Sequence, residues 1–137
     1  IKAVKKTLHE HGLSLPPERI KFGEFSVQSG RDLMDELLES SNRPTAVLCV
    51  NDFTAIGAIK SASEHGLKIP DDISITGFDD TPLSTAVIPE LPTVSQNTYE
   101  LGRLAVETLH KLISGHKVKK RTILEPKLVV RKSTAAI

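Results

Sequence analysis

Two six-residue segments of this sequence are built alike, and they constrain the fold more than any other feature. Residues 11–16 read His-Gly-Leu-Ser-Leu-Pro and residues 65–70 read His-Gly-Leu-Lys-Ile-Pro. Each follows a helical pattern and precedes an isoleucine-led strand pattern. The glycine can adopt the left-handed conformation that ends a helix, the leucine can pack back on the last turn, and proline stops the helix. Two copies of one helix-to-strand joint predict stacked βα units, and therefore an α/β fold with a parallel sheet and helices on both faces.

The spacing of apolar residues predicts the elements around these joints. Helical patterns end at Gly12, after Leu38, at Gly66 and at Gly115, and strand patterns cover residues 20–25, 46–50, 73–78, 93–96, 122–124 and 128–130. The run 46–50 is apolar throughout, which is typical of a strand buried on both faces. Asn97 and Glu100 have the spacing of a capping box, which predicts the start of the last helix.

Composition excludes several classes of protein. With 39% hydrophobic residues among 137, the chain can bury a core without metal or disulfide staples. Its single cysteine, Cys49, excludes an internal disulfide and is compatible with a reducing compartment. No apolar run approaches the roughly 20 residues of a membrane span. We therefore expect a cytoplasmic protein with no membrane partner.

Basic charge is concentrated near the end of the chain. Residues 100–137 carry 9 Lys/Arg against 3 Asp/Glu, whereas residues 1–99 carry 9 against 14. A basic tail can contact nucleic acid. We interpret this one as a solvated turn, because its cations follow a helix end and no aromatic residue for base stacking lies nearby. The cluster comprises Lys117, Lys119, Lys120 and Arg121.

Polar and aromatic side chains follow the predicted strands. Because ligands of parallel α/β sheets bind at the carboxyl ends of the strands, these residues are candidates for a binding site. An aromatic face with amide and carboxylate groups suits a polyhydroxylated or heterocyclic ligand. The candidates are Phe25-Ser26, Asn51-Asp52, Asp79-Asp80 and the group Ser95, Gln96 and Asn97.

Several of these candidates also have a purely structural interpretation. Asn51 can be a helix cap, Phe25 can be a core residue, and an Asx-turn would satisfy Asp79. Asp52 and Asp80 fit turn or first-turn carboxylates better than ligand groups. These alternatives remain open on the sequence alone.

Motifs for catalysis are missing from the sequence. It contains no Gly-x-Ser-x-Gly, P-loop or dinucleotide glycine fingerprint, and no histidines at zinc-ligand spacing. Cys49 lies within an apolar run, which favours an inert thiol. Asp79 and Asp80 are adjacent on a strand and should point to opposite faces. We expect no enzyme, no catalytic residue, no metal and no cofactor.

Four spaced motifs together resemble the LacI/GalR family of bacterial repressors, and they cover nearly the whole chain. They are Pro44-Thr45-Ala46-Val47 leading to Asn51-Asp52 and Ala55-x-Gly57; Gly66-Leu67-Lys68-Ile69-Pro70-Asp71-Asp72-Ile73-Ser74-Ile75-Thr76-Gly77-Phe78-Asp79-Asp80; Pro89-x-Leu91-x-Thr93-Val94-x-Gln96; and Leu128-Val129-x-Arg131-x-Ser133-Thr134.

The resemblance implies a two-lobed fold like that of the type I periplasmic sugar-binding proteins, with a small-molecule effector between the lobes. Residues 1–95 would form the C-terminal lobe, 96–126 a crossover helix and strand of the N-terminal lobe, and 127–137 the return. Phe25 would stack on the effector, with Asn51, Asp79 and Gln96 as polar partners. A homodimer face would include residues that could otherwise be ordinary core, namely Ile56, Ile59, Ala86, Val87 and Ile88.

The same resemblance implies a transcription regulator whose effector, a sugar or a nucleoside-like compound, alters its affinity for operator DNA. The family's DNA-binding headpiece and an effector-binding arginine would lie before Ile1. Pro92 replaces the threonine that is usual between Leu91 and Thr93. Two alternatives are a periplasmic sugar-binding protein of transport or chemotaxis, and an enzyme that acts on sugars through Asp79 or Asp80.

Overall fold

The computed structural model describes residues 1–136, and within them it contains four α-helices, two short 3-10 helices and four β-strands. The 3-10 helices are Pro17–Arg19 and Pro82–Thr85. The other elements, in chain order, are α1 (Lys2–Glu10), α2 (Val27–Leu38), β1 (Ala46–Leu48), α3 (Asp52–Glu64), β2 (Ser74–Thr76), β3 (Thr93–Ser95), α4 (Thr98–Ile113) and β4 (Lys127–Val129).

Strands β1 and β2 are parallel, with Val47 opposite Ile75, as the repeated joints predict. β3 and β4 form an antiparallel pair, and a parallel bridge between Asp79 and Ser95 joins the end of the first sheet to β3. The segment around Ser133 flanks β2, because the Ile75 amide donates to the Ser133 carbonyl at 2.8 Å. The carboxyl ends of β1, β2 and β3 therefore lie at the same edge of the structure.

Both joints have the predicted helix-ending geometry, but only the joint at Gly66 leads into a strand. Gly12 and Gly66 have φ values of 72° and 74°. Leu13 donates its amide to Leu8 at 2.8 Å, and Leu67 donates its amide to the carbonyl of Ala62 at 3.0 Å. These bonds are the long bonds of a Schellman motif, which satisfies helix carbonyls that would otherwise lack a donor.

The hydrophobic core lies between the helix pair α2–α3 and the sheet. Glycines let the two helices touch backbone to backbone: a β-carbon at Gly30 would overlap the Thr54 carbonyl, and one at Gly57 would overlap the Val27 carbonyl. This contact holds the N-terminal ends of α2 and α3 side by side. The core residues are Met34, Leu38, Ala55, Ala58, Ile59, Ala62, Ile73, Ile75 and Leu91.

Two predicted strands do not form. Ile20 instead closes a turn onto Pro17, and the Glu24 amide donates to the Ser29 hydroxyl at the start of α2. Residues 122–124 have no strand partner within residues 1–136. A single extended segment is not stable without a neighbour to complete its hydrogen bonds, so β-propensity alone was insufficient in both cases.

Strand β1 differs from its prediction in burial. Val47 and Cys49 pack against the core, whereas Leu48 is 63% exposed and Val50 is 58% exposed. The unbroken apolar run therefore does not indicate burial on both faces here. Helices α2 and α3 cover one face of the strand, and the other face is open over the described residues.

The predicted capping box at the start of α4 is wrong. Asn97 has φ 51° and ψ 54°, and its side chain makes no cap hydrogen bond. A capping residue needs an extended backbone for its side chain to reach the first free amides, and the left-handed conformation prevents this. Glu100 binds Arg103 instead of the helix start.

Helices α1 and α4 contain no buried residue, in contrast to α2 and α3. None of the helices in the described part of the chain has the length and apolar character needed to cross a bilayer. The candidate site is therefore fixed by α2, α3 and the first sheet, together with β3, which precedes Gln96.

Candidate functional site

Asn51 caps helix α3, as one of its two interpretations predicts. Its side-chain oxygen accepts from the Thr54 amide at 2.9 Å, and the Thr54 hydroxyl lies 3.4 Å from the Asn51 amide in the reciprocal bond. The cap uses the oxygen of the carboxamide and leaves its N–H groups for another partner. Asn51 can therefore cap the helix and still donate to a ligand.

Asp79 and Gln96, two of the predicted ligand groups, are in direct contact. The Gln96 amide nitrogen donates to Asp79 Oδ1 at 2.5 Å. The Asp79 amide in turn donates to the Val94 carbonyl at 3.0 Å, which aligns the two segments. Asp79 Oδ2 and the Gln96 carbonyl oxygen can then accept from hydroxyl or ring N–H groups.

Asp80 has a structural role, which agrees with its interpretation as a turn carboxylate. Its Oδ1 lies 2.7 Å from a guanidinium nitrogen of Arg131, whose side chain is only 13% exposed. The same guanidinium donates to the Ser84 hydroxyl and, at 2.8 Å, to the Leu91 carbonyl. The adjacent carboxylates thus have different partners, Gln96 for Asp79 and Arg131 for Asp80.

Asp52 is the most deeply buried carboxylate near the site, with 0% exposure. Thr93 donates its hydroxyl to Oδ1 at 2.6 Å, and Thr81 donates its amide to Oδ2 at 2.6 Å. Sequence reasoning assigned Asp52 only to the first helical turn. No local pattern connects residue 52 with residues 81 and 93, so this network was missed.

Phe25 lies directly before Ser26, the residue that caps α2, and it is 72% exposed. The core interpretation of Phe25 is therefore wrong for the described chain. Because Gly30 and Gly57 hold the starts of α2 and α3 together, Phe25 and Asn51 stand at neighbouring helix starts.

The residues assigned to a dimer face have different surroundings. Ile59 is 6% exposed and belongs to the core, against which Val87 also packs. Ile56 is half-buried and Ala86 is exposed. Ile88 is 92% exposed and is the most prominent apolar side chain of the set.

Titration and metal chemistry add little to this site. Burial raises the pKa of the Cys49 thiol to about 12, although a hydrogen bond with Thr54 acts in the opposite direction. A thiol with this pKa is protonated at neutral pH and is a poor nucleophile. Within residues 1–136, no three side chains of His, Cys, Asp or Glu are grouped to hold a metal ion.

Residues 1–134 match a family described as the periplasmic binding protein-like domain. Among curated proteins, the chain is 40% identical over 135 residues to the HTH-type transcriptional repressor PurR of Histophilus somni strain 129Pt. It is also 40% identical over 134 residues to the ribose operon repressor of Haemophilus influenzae. Each match covers 97% of this chain and 40% of the relative, so the chain spans well under half of their length.

Solved structures that resemble this chain also include transcriptional repressors. The Escherichia coli transcriptional repressor ascG superposes with a TM-score of 0.87 at 30% identity, over 96% of this chain and 48% of that one. Such agreement over almost the entire chain supports a common fold for all the elements described above.

Proposed function

The chain belongs to the periplasmic binding protein-like domains of the LacI/GalR family, and on that premise we propose that it is the effector-sensing and dimerisation part of a bacterial transcription repressor. The effector would be a small sugar or a nucleoside-like compound. Its binding between two lobes would change the affinity of the whole protein for operator DNA through a headpiece outside this chain. The matched relatives are repressors, which favours regulation over transport. We further propose a cytoplasmic protein without catalytic activity.

The contact between Asp79 and Gln96 carries this proposal. It brings a carboxylate and a carboxamide to the ends of two strands, at the edge where ligands of parallel sheets bind. Asn51 adds an amide donor at the adjacent helix start, and Phe25 adds an exposed aromatic ring. Three polar groups and one ring suffice to orient a small ligand.

The hydrogen-bonding groups of the candidate site favour a ligand that is neutral or cationic where it contacts them. Asp79 and Gln96 offer oxygen acceptors, and Asn51 offers donors. Neighbouring hydroxyls of a sugar, or the N–H groups of a heterocycle, would match the acceptors. An anionic group directed at Asp79 would be repelled.

The proposed lobe boundaries follow the same logic. Residues 1–95 and 127–137 would form one lobe, and residues 96–126, with α4, would pack in the other. Effector binding would then stabilise one arrangement of the lobes, and only a difference in affinity between arrangements can shift DNA binding. Asp79 belongs to the first of these lobes and Gln96 is the first residue of the crossover segment, so a ligand that binds both would depend on the relative position of the lobes.

For the homodimer, the proposed face includes Ile56, Ala86 and Ile88, with Ile88 as its most exposed member. Ile59 and Val87 would support this face from beneath, because both pack in the core. Burial of the Ile88 side chain against a second copy would remove its apolar surface from water, which favours association.

Asp79→Ala in the full-length protein tests the proposal. A thermal-shift screen with D-ribose, other simple sugars, nucleosides and nucleobases should find a compound that stabilises the wild-type protein. At 100 times its dissociation constant, it should add about 2.7 kcal/mol. The variant should lose that shift and keep its operator affinity.

Asp71→Ala is the matched control. Asp71 is an exposed carboxylate that precedes β2, whereas Asp79 follows it, so the two lie beyond opposite ends of the strand. Its removal should leave the thermal shift unchanged. If Asp79→Ala responds to the compound as the wild type does, Asp79 is not an effector ligand.

A further inference from the structure

The buried carboxylate of Asp52 accepts three hydrogen bonds, two of them from one residue of the loop that carries Asp79. The Thr81 amide and hydroxyl reach Oδ2 at 2.6 and 3.0 Å, and the Thr93 hydroxyl reaches Oδ1 at 2.6 Å. Asp52 is also the first residue of α3, where the helix dipole favours a negative charge. These partners compensate for the cost of burying the carboxylate.

The loop that Asp52 holds has an unfavourable backbone. Asp79 has φ 105° and Asp80 has φ 55°, both in the region that residues with a β-carbon seldom adopt. Such a conformation is unfavourable and persists only where its surroundings enforce it. The enforcing contacts are present: the Asp80 amide donates to the Thr93 hydroxyl at 3.2 Å, and that hydroxyl donates onward to Asp52.

Asp52 thereby joins the three segments that present the polar ligand groups. Asn51 is its neighbour in the chain, Asp79 lies two residues before Thr81, and Gln96 lies three residues after Thr93. Little space remains around this junction, since a β-carbon at Gly77 would overlap the Asp52 carboxylate. Movement of any one segment would strain the bonds to the other two.

We propose that Asp52, acting through Thr81 and Thr93, is the positioning residue of the effector site and fixes the Asp79 loop in its unfavourable conformation. The proposal rests on the proposed function for the role of Asp79 as a ligand. It assigns Asp52 no contact with the effector, because its two oxygens are already bonded to threonines. The arrangement of the loop itself can be measured without any effector.

Thr93→Val and Thr93→Ser provide the sharpest test. Valine has the shape of threonine without the hydroxyl, whereas serine keeps the hydroxyl and loses a methyl group. Hydrogen–deuterium exchange of the full-length protein, followed by mass spectrometry, should show that peptides within residues 79–85 exchange about tenfold faster or more in Thr93→Val. Thr93→Ser should exchange as the wild type does in these peptides, and Asp52→Asn should resemble Thr93→Val.

Ser133→Ala separates positioning from general stability. Ser133 is fully buried and donates its hydroxyl to the Ile75 carbonyl at 2.7 Å, on the same sheet but not in the Asp79 loop. Its removal should lower the melting temperature without selective exchange at residues 79–85. If Asp52→Asn does not fold, Thr81→Val compared with Thr81→Ser decides, because the Thr81 hydroxyl donates to Asp52, whereas the Thr93 hydroxyl also accepts directly from the Asp80 amide.

Two results would overturn the proposal: wild-type exchange of the loop in Thr93→Val, or equal acceleration in Ser133→Ala. Titration with D-ribose or adenosine addresses the proposed function separately. If neither compound nor any other candidate binds the wild-type protein, the proposed function fails, and the exchange result still decides whether Asp52 positions the loop.

Discussion

Helices α3 and α4 are both regular and similar in length, yet they differ in what lies against them. Eight residues of α3 are buried, whereas α4, three residues longer, buries none. Helix α3 contacts α2 so closely that only glycine fits at position 57. The apolar side of α4 faces an open groove beside the segment around Lys119–Leu124; its lining includes Leu101, Leu104, Ala105, Thr108, Leu109 and Leu112.

The comparison teaches that an apolar stripe identifies a helix but not its partner. Tertiary contacts, more than helix propensity, supply most of the stability of a helix in a protein. Helix α3 has such contacts within this chain. Helix α4 has few, as we expect if residues 96–126 pack in another lobe.

The largest expected difference in stability is between alanine substitutions of one glycine in α3 and one glycine in α4. Gly57→Ala would force a methyl group onto the Val27 carbonyl and the Arg31 amide, and we expect a loss of more than about 3 kcal/mol. This exceeds the roughly 1–3 kcal/mol of ordinary overpacking, because backbone atoms cannot move aside easily. Gly102→Ala in α4 meets nothing within 4 Å. It should stabilise the chain by about 0.5–1 kcal/mol through helix propensity.

Urea unfolding of the two variants measures both effects with one method. The comparison between α3 and α4 fails if Gly57→Ala is tolerated as well as Gly102→Ala, since the helices would then be equally loosely packed.

The next largest difference in stability is expected between alanine substitutions of a core leucine and of a leucine on α4. Leu38 is 1% exposed in the core, and Leu38→Ala should cost about 3 kcal/mol. Leu109 is 57% exposed, so Leu109→Ala should cost well under about 1 kcal/mol in this chain. In the full-length protein, Leu109→Ala should approach the cost of Leu38→Ala if another lobe covers α4. An unchanged small cost there would contradict the proposed boundary at residue 96.

The elements that sequence alone predicted well are those with complete local signals. The joints at Gly12 and Gly66, the parallel β1–β2 pair and the α4 helix all follow from short patterns and periodicity. Strands at 20–25 and 122–124 were wrong because β-structure depends on a neighbour that sequence does not specify. The Asn97 cap was wrong because its backbone is left-handed.

The candidate site was predictable to a similar degree. Strand ends indicated Asn51, Asp79 and Gln96, and the structure brings the last two into contact. Nothing in the spacing could show that Asp52 binds Thr81 and Thr93, since these bonds span 29 and 41 residues. Whether the predicted residues bind an effector remains a prediction.

Removal of Arg131, near the candidate site, and of Arg103, on α4, should give a smaller difference in stability. Arg131→Ala would leave Asp80, the Ser84 hydroxyl and the Leu91 carbonyl without their donor in a partly buried position. We expect a loss of about 2 kcal/mol, less than for a fully buried pair because Asp80 retains some solvent. Arg103→Ala on the open surface of α4 should leave the urea midpoint almost unchanged. Equal losses would mean that the two regions do not differ electrostatically.

The smallest effect concerns the titration of Glu100 on α4. A hydrogen bond from Arg103 lowers the pKa of this carboxyl below its ordinary value of 4.5, against a weaker opposing effect of desolvation. A lowered pKa in the folded state means that any stabilisation is complete above pH 4.5 and is lost as the pH falls through the folded-state pKa. Arg103→Gln should raise the pKa of Glu100 toward its ordinary value in an NMR titration, and high salt should weaken the difference because the pair is exposed. An unchanged pKa in the variant would show that the Arg103 contact does not persist in solution, and α4 would then lack even this local support for its first turns.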